Sequence, residues 1–283
     1  MAVPVADGTY RLLSGNQIGV VLIDYYLRAL KRRGKLPANG VVVKTIVTTE
    51  LQRVIAESHG VECVDVLTGF KWRGKKMLEW EQARAAGGEW LQYLVGGEES
   101  FGFLAGDFVR DKDAVIAACL LSEAAVDCRS RGQSLFDRLD DIYLEHGLYL
   151  DELANVFHEG KEGAEKIAAI MRGLRETPPT AVGGSNVVER WDVKSGRVDR
   201  ADGSVSGPLD LPSSDVLVFF LENGCKVTAR PSGTEPKIKF YVAIRVPPSC
   251  EKGPGALAAM RAEGQRLATA TVDDYTAHVG RLG

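Results

Sequence analysis

The sequence predicts two successive domains, an α/β domain followed by a smaller α+β domain. Three observations carry this. In the first half, β-branched runs at Val41-Val42-Val43 with Ile46-Val47, and at Val61 to Leu67, alternate with helix-periodic segments. In the second half, strand-like runs dominate and only two segments have helical periodicity. A chain of 283 residues is long enough for about two domains.

Taken in order, Met1 to Leu13 reads as a strand broken by the Asp7-Gly8 turn. Ser14-Gly15-Asn16 then caps an amphipathic helix with Ile18, Val21, Leu22, Tyr25, Tyr26 and Leu30 on one side, closed by Gly34. The strand at Val41 is followed by a short helix from Leu51 to His59 and by the strand from Val61. Trp90 to Val95 is another strand, and Asp111-Lys112-Asp113 opens a helix over Ala114 to Ala125. Arg129 to Ser134 is a polar break before the helical pattern Leu135, Leu139, Ile142 and Tyr143, so the first domain is expected over 1–131, a connecting helix over 132–147 and the second domain over 148–283. In that domain, strands are expected at Tyr149, Val187 to Trp191, Val216 to Phe220, Lys226 to Ala229 and Ile238 to Val246. The helices are Glu162 to Leu174, which ends before Pro178-Pro179, and Ala256 to His278. The segments Val182 to Asn186 and Asp192 to Ser206 read as loops and a hairpin turn.

Composition narrows the function classes. Thirty-five basic and thirty-eight acidic residues give a formal charge of −3, so no global basic field recommends nucleic acid or an anionic membrane as a partner. No apolar run reaches the roughly twenty residues of a spanning helix, and the N-terminus lacks the regions of a signal peptide. A soluble, cytoplasmic protein is expected. Five cysteines without a Cys-x-x-Cys argue for reduced thiols, and the four histidines have no zinc-ligand spacing.

Arg230-Pro231-Ser232-Gly233-Thr234-Glu235-Pro236 places a phosphate-shaped set of donors between two strand patterns. The planar fork of Arg230 suits two phosphate oxygens, the hydroxyls of Ser232 and Thr234 add donors, and Gly233 lets backbone amides come close. The two prolines pre-shape the loop, so little ordering entropy is lost on binding. This run resembles the phosphate-binding loop in the last domain of the α-D-phosphohexomutases, the phosphoglucomutase and phosphomannomutase family. Gly96-Gly97-Glu98-Glu99-Ser100-Phe101-Gly102 resembles that family's sugar-binding loop and stands upstream, in the family's order.

The resemblance implies roles for single residues. Glu98 and Ser100 would hold sugar hydroxyls; an acid and a hydroxyl two apart on an extended segment point the same way. Thr68 and Lys71, in the Thr68-Gly69-Phe70-Lys71-Trp72 turn at a strand's carboxyl end, would line the site. Lys112, whose charge opposes a helix dipole, would lie near the transferred phosphoryl group with Arg110 beside it. Arg230, Ser232, Gly233 and Thr234 would hold the phosphate that is not transferred.

The same resemblance implies a reaction in which phosphate moves between C1 and C6 of a hexose through a phosphoserine enzyme, a hexose 1,6-bisphosphate intermediate and Mg²⁺. No residue matches the serine loop or the metal loop. Glu57-Ser58-His59-Gly60 and Asp199 to Gly203 are only look-alikes. The chain is therefore expected to be the C-terminal half of such an enzyme, inactive alone, with Mg²⁺ ligands and N-terminal domains outside it and a small sugar phosphate as its partner. A non-catalytic sugar-phosphate module is the alternative. Glu98-Glu99-Ser100-Phe101 is closer to the family's glucose-type branch, while mannose, glucosamine and pentose phosphates stay open.

Overall fold

In the computed structural model, residues 2–4, 8–157, 160–232, 237–251 and 253–282 are described. They form two compact units, Met1–His146 and Gly147–Gly283. No helix among the described residues is long and apolar enough to cross a membrane.

The first unit opens with a hairpin of β1 (Ala2–Pro4) and β2 (Tyr10–Leu12). Ser14 then caps α1 (Gly15–Arg32): its side chain accepts from the Gln17 amide while Gln17 reaches back to the Ser14 amide. The remaining elements are β3 (Gly40–Thr45), α2 (Leu51–Ser58), β4 (Glu62–Val66), α3 (Phe70–Ala85), β5 (Gln92–Glu98), β6 (Gly102–Ala105), α4 (Ala114–Arg129) and α5 (Leu135–His146). The strands form one sheet in the order β4-β3-β5-β6, parallel except for the β5–β6 pair.

Alternation of side chains along the strands gives the sheet two buried faces. Val41, Val43, Val66, Tyr93 and Leu104 pack with Phe70 and Met77 of α3. On the other face, Phe103 meets α1 at Gly19, where a Cβ would lie 3.3 Å from its ring. Helix α5 is held to α1 by Arg138, whose Nε and Nη2 donate to the two oxygens of Asp24 at 2.9 and 2.7 Å. Burial would raise the Asp24 pKa, but Arg138 and Arg28 outweigh it and hold this carboxyl below the usual aspartate range.

The sequence reading and the structure differ here in the turn after β3 and at α3. Ile46 and Val47, read as a strand, lie in the turn after β3, although both are buried. Helix α3 was not expected, because Arg73, Lys75, Lys76, Glu79 and Glu81 interrupt its apolar stripe and only Phe70, Arg73 and Met77 are buried. The start of α4 agrees with the sequence reading: Asp113 is its N-cap, accepting from the Val115 and Ile116 amides, and Lys112 precedes the helix.

The second unit contains β7 (Leu148–Phe157), α6 (Gly160–Glu176), β8 (Ala181–Val182), β9 (Ser185–Asp192), β10 (Arg197–Arg200), β11 (Val205–Ser206), β12 (Leu217–Leu221), β13 (Lys226–Pro231), β14 (Lys237–Val246) and α7 (Pro254–Gly280). Its antiparallel sheet runs β11-β10-β9-β12-β13-β14-β7, with β8 paired to β9. One face, with Leu217, Phe219, Val227, Ala229, Ile238, Phe240 and Val242, packs on Ile170, Met171 and Leu174 of α6 and on Tyr275 and Val279 of α7. The stretch 192–206, read as a turn, contributes β10 and β11 at the sheet edge. Its charged face hid the pairing, which is carried by backbone bonds and by ion pairs such as Arg190–Asp199 and Arg200–Glu189.

Candidate functional site

In the first unit, the carboxyl end of β5 brings three sequence-distant segments together. Glu98 ends the strand, and its Oε1 accepts from the Gly69 amide at 2.7 Å and from Arg73 Nη1 at 3.2 Å. Arg73 is fully buried. Its Nε donates to the Val43 carbonyl, its Nη2 donates to the Gly97 carbonyl, and its guanidinium lies 4.6 Å from the Phe70 ring centroid. Burial pulls this guanidinium below the usual arginine range, opposed by Tyr93 and Glu98.

Glu98 itself keeps 13% of its side chain exposed. Its Oε2 accepts no hydrogen bond among the described residues. The two oxygens are therefore not equivalent: Oε1 is engaged by two protein donors and Oε2 by none among the described residues.

The next residue is tied down on the other side. Glu99 Oε2 accepts from Thr48 Oγ1 at 3.2 Å, and Thr48 Oγ1 lies 2.7 Å from Thr45 Oγ1. Beneath this turn Lys44, fully buried, donates to the carbonyls of Thr45 and Thr48 and pairs with Glu50 and Asp65 at 2.8 Å each. Burial alone would lower the amine's pKa; Asp65 and Glu50 reverse that and hold it above the usual lysine range. Glycine is required where backbones meet: a Cβ on Gly96 would lie 2.1 Å from the Val43 carbonyl oxygen, and one on Gly15 only 1.8 Å from that of Glu99. Past Ser100, which is exposed, Phe101 is the one described non-glycine residue with a left-handed φ, 66°. Backbone of this kind persists where the surroundings over-determine it.

The other expected residues are placed less uniformly. Thr68 and Lys71 flank Gly69 and Phe70 at the start of α3; Lys71 is exposed, with Nζ 4.9 Å from the Trp72 ring centroid. Lys112 is exposed too, pairs with Asp111 at 3.0 Å, and has Nζ 5.7 Å from the Phe70 centroid, close to the Glu98 end of the sheet. Arg110 is turned to Glu81 on α3, where both border a cavity lined also by Trp80, Arg84 and Trp90. The guanidinium of Arg110, expected beside Lys112, is thus engaged by Glu81.

In the second unit, Arg230 stands at the end of β13 directly opposite Lys239 of β14, and both alternate with residues of the helix-covered core. Directly opposed antiparallel residues share a face, so Arg230, Lys239 and, two residues earlier on β14, Lys237 lie on the sheet face turned from α6 and α7. The Ser232 amide donates to the Lys237 carbonyl at 2.8 Å, closing the loop at its base. Gly233 and Thr234 lie outside the described residues. Among the described residues, no group of three or more His, Cys, Asp or Glu is arranged to hold a metal ion.

Residues 14–145 match the family described as phosphoglucomutase/phosphomannomutase, α/β/α domain III. This segment, residues 14–145, belongs to that family. It is 33% identical over 240 residues to a phosphoglucomutase of Staphylococcus haemolyticus and 34% identical over 243 residues to one of Staphylococcus aureus, matches that cover 85% and 86% of this chain. In both cases it spans 42% of the length of the relative. Among solved structures, parafusin, a phosphoglucomutase of Paramecium in its open form, superposes with a TM-score of 0.54 at 16% identity, over 93% of this chain and 42% of that one. That likeness concerns the fold. Within the family's domain III, the sequence motif located the turn at Glu98 but not Arg73 or Lys44. A basic residue at a position with helical or strand periodicity reads as surface, and the only cue was that each falls where its neighbours demand burial.

Proposed function

We propose that this chain is the sugar- and phosphate-binding half of a phosphohexomutase that interconverts hexose 1-phosphate and hexose 6-phosphate in the cytoplasm. The observation that carries this reading is Glu98, held through Oε1 at the carboxyl end of a family domain III strand, with Oε2 accepting no hydrogen bond among the described residues and Ser100 exposed beside it. Glu98 and Ser100 would take ring hydroxyls, with Thr68, Lys71 and Lys112 around them. Arg230, Ser232, Gly233 and Thr234 would take the phosphate that is not transferred, and Lys239 adds charge beside Arg230.

In the whole enzyme, a phosphoserine would give its phosphoryl group to the free hydroxyl of the bound hexose phosphate. The hexose 1,6-bisphosphate so formed would turn over and return its other phosphoryl group to the serine. This half supplies positioning and charge, the main sources of acceleration in phosphoryl transfer. Mg²⁺ would be held in the whole enzyme by an aspartate-rich loop of the family's kind, which no stretch of this sequence matches.

Titration of the chain with glucose 6-phosphate and with glucose tests the reading. Replacing Arg230 with alanine should weaken the phosphorylated ligand by about 2 kcal/mol, a charge-assisted bidentate contact, and less to the extent that Lys239 compensates. Glucose binding should stay unchanged. An unaltered dissociation constant for glucose 6-phosphate would reduce the Arg230 loop to a turn.

A further inference from the structure

We propose that Arg73 is a positioning residue for sugar recognition: together with the Gly69 amide it occupies Oε1 of Glu98 and leaves Oε2 as the outward acceptor, so the site selects a hydroxyl that donates. The proposal rests on the reading of Glu98 as the residue that meets the sugar, and adds how its selectivity is set.

Every donor direction used by Arg73 is internal. One arm grips the Val43 carbonyl on β3, one the Gly97 carbonyl next to Glu98, and one the Glu98 carboxylate itself, while the Phe70 ring packs against its plane. A guanidinium held at three points and buried has no freedom to follow its partner, so the carboxylate must adopt the orientation the arginine dictates. The Gly69 amide at 2.7 Å adds a second donor to the same oxygen. With Oε1 engaged by two donors, a ligand hydroxyl meets Oε2, which is acceptor only while the carboxylate is ionised. An ether oxygen or a fluorine at the same place could not donate and would be rejected.

The inner pair also determines what an amide would do. In Glu98→Gln, Arg73 and the Gly69 N–H both require an acceptor, so the carbonyl oxygen must take the Oε1 place and the NH₂ must face outward. That substitution therefore reverses the polarity presented to the sugar. A freely rotating side chain would instead turn its oxygen outward whenever a hydroxyl donated.

The test uses glucose 6-phosphate and its series of monodeoxyfluoro analogues, in which fluorine replaces one ring hydroxyl at a time and can accept weakly but not donate. With the wild-type chain, at least one analogue should bind ten or more times more weakly than glucose 6-phosphate. In Glu98→Gln this penalty should fall to within twofold. In Arg73→Met it should fall at least threefold, with Arg73→Lys intermediate because one donor to Glu98 is restored. The dissociation constant for inorganic phosphate should stay put in all of them, which general loosening of the fold would not predict.

A wild-type chain indifferent to every analogue would overturn the assignment of Glu98 as sugar reader, and the Arg73 proposal with it. A wild-type penalty that survives intact in the folded Arg73 variants would overturn the role of Arg73 alone. Should neither Arg73 variant fold, Glu98→Gln decides: a penalty that persists there means that the outward atom is not set by the inner pair.

Discussion

Replacing Lys44 with methionine keeps the length and apolar stem of a fully buried side chain and removes its charge. The carbonyls of Thr45 and Thr48 would each lose a donor, at about 1 kcal/mol apiece. Glu50 and Asp65 would lose their inner cation, although Arg53 still pairs with both and their side chains remain 30% and 20% exposed. Breaking a buried pair from one side costs about 3–5 kcal/mol. Because these acids are partly solvated and keep Arg53, we expect the low end, about 3 kcal/mol in total. For a unit of this size that is roughly 10 °C of melting temperature. Tryptophan fluorescence is a suitable readout, since Trp72, Trp80 and Trp90 belong to the first unit and only Trp191 to the second. The sign of the pH dependence follows from the raised amine pKa: this contribution is complete below the ordinary lysine value near 10.4 and disappears as pH rises from there through the folded value. The gap between wild type and variant should be constant near neutrality and close at strongly alkaline pH. A loss under 1 kcal/mol at pH 7 would refute the reasoning, because the inner cation would then have no net value over a thioether.

Asp24→Asn should destabilise the first unit by about 3 kcal/mol, since Arg138 and Arg28 lose the carboxylate they share, and urea denaturation should report it. The depressed folded pKa makes the contribution of Asp24 complete above the ordinary aspartate value near 3.9 and lost as pH falls through the folded value, so wild type and variant should converge only in that acid range. Gly15→Ala should destabilise by roughly 1–3 kcal/mol despite the better helix propensity of alanine, because its Cβ would lie 1.8 Å from the Glu99 carbonyl oxygen. A higher melting temperature in that variant would show that the turn at Glu99 can simply step aside.

The order of elements was legible wherever the hydrophobic period and the local signals agreed. The Ser14 cap with its apolar stripe, the β3 and β4 runs, and the alternating β13 and β14 all have side chains whose destination is decided by their own neighbours in sequence. Legibility failed at α3, β10 and β11, where charged residues carry the surface and the pairing comes from backbone and ion pairs to distant strands. The candidate site divides in the same way. A motif can name Glu98 because its residue types are contiguous, but the orientation of its carboxylate depends on Arg73, 25 residues earlier, and on a strand carbonyl at Val43. Arg110 is the complementary case: its sequence position beside Lys112 suggested the site, yet an accessible Glu81 on the neighbouring helix claims its guanidinium. Adjacency along the chain thus predicts which backbone reaches the site, while the charge partners within reach decide which side chains face it. That is why a buried arginine, the residue least readable from local pattern, is the one placed to set what Glu98 can recognise.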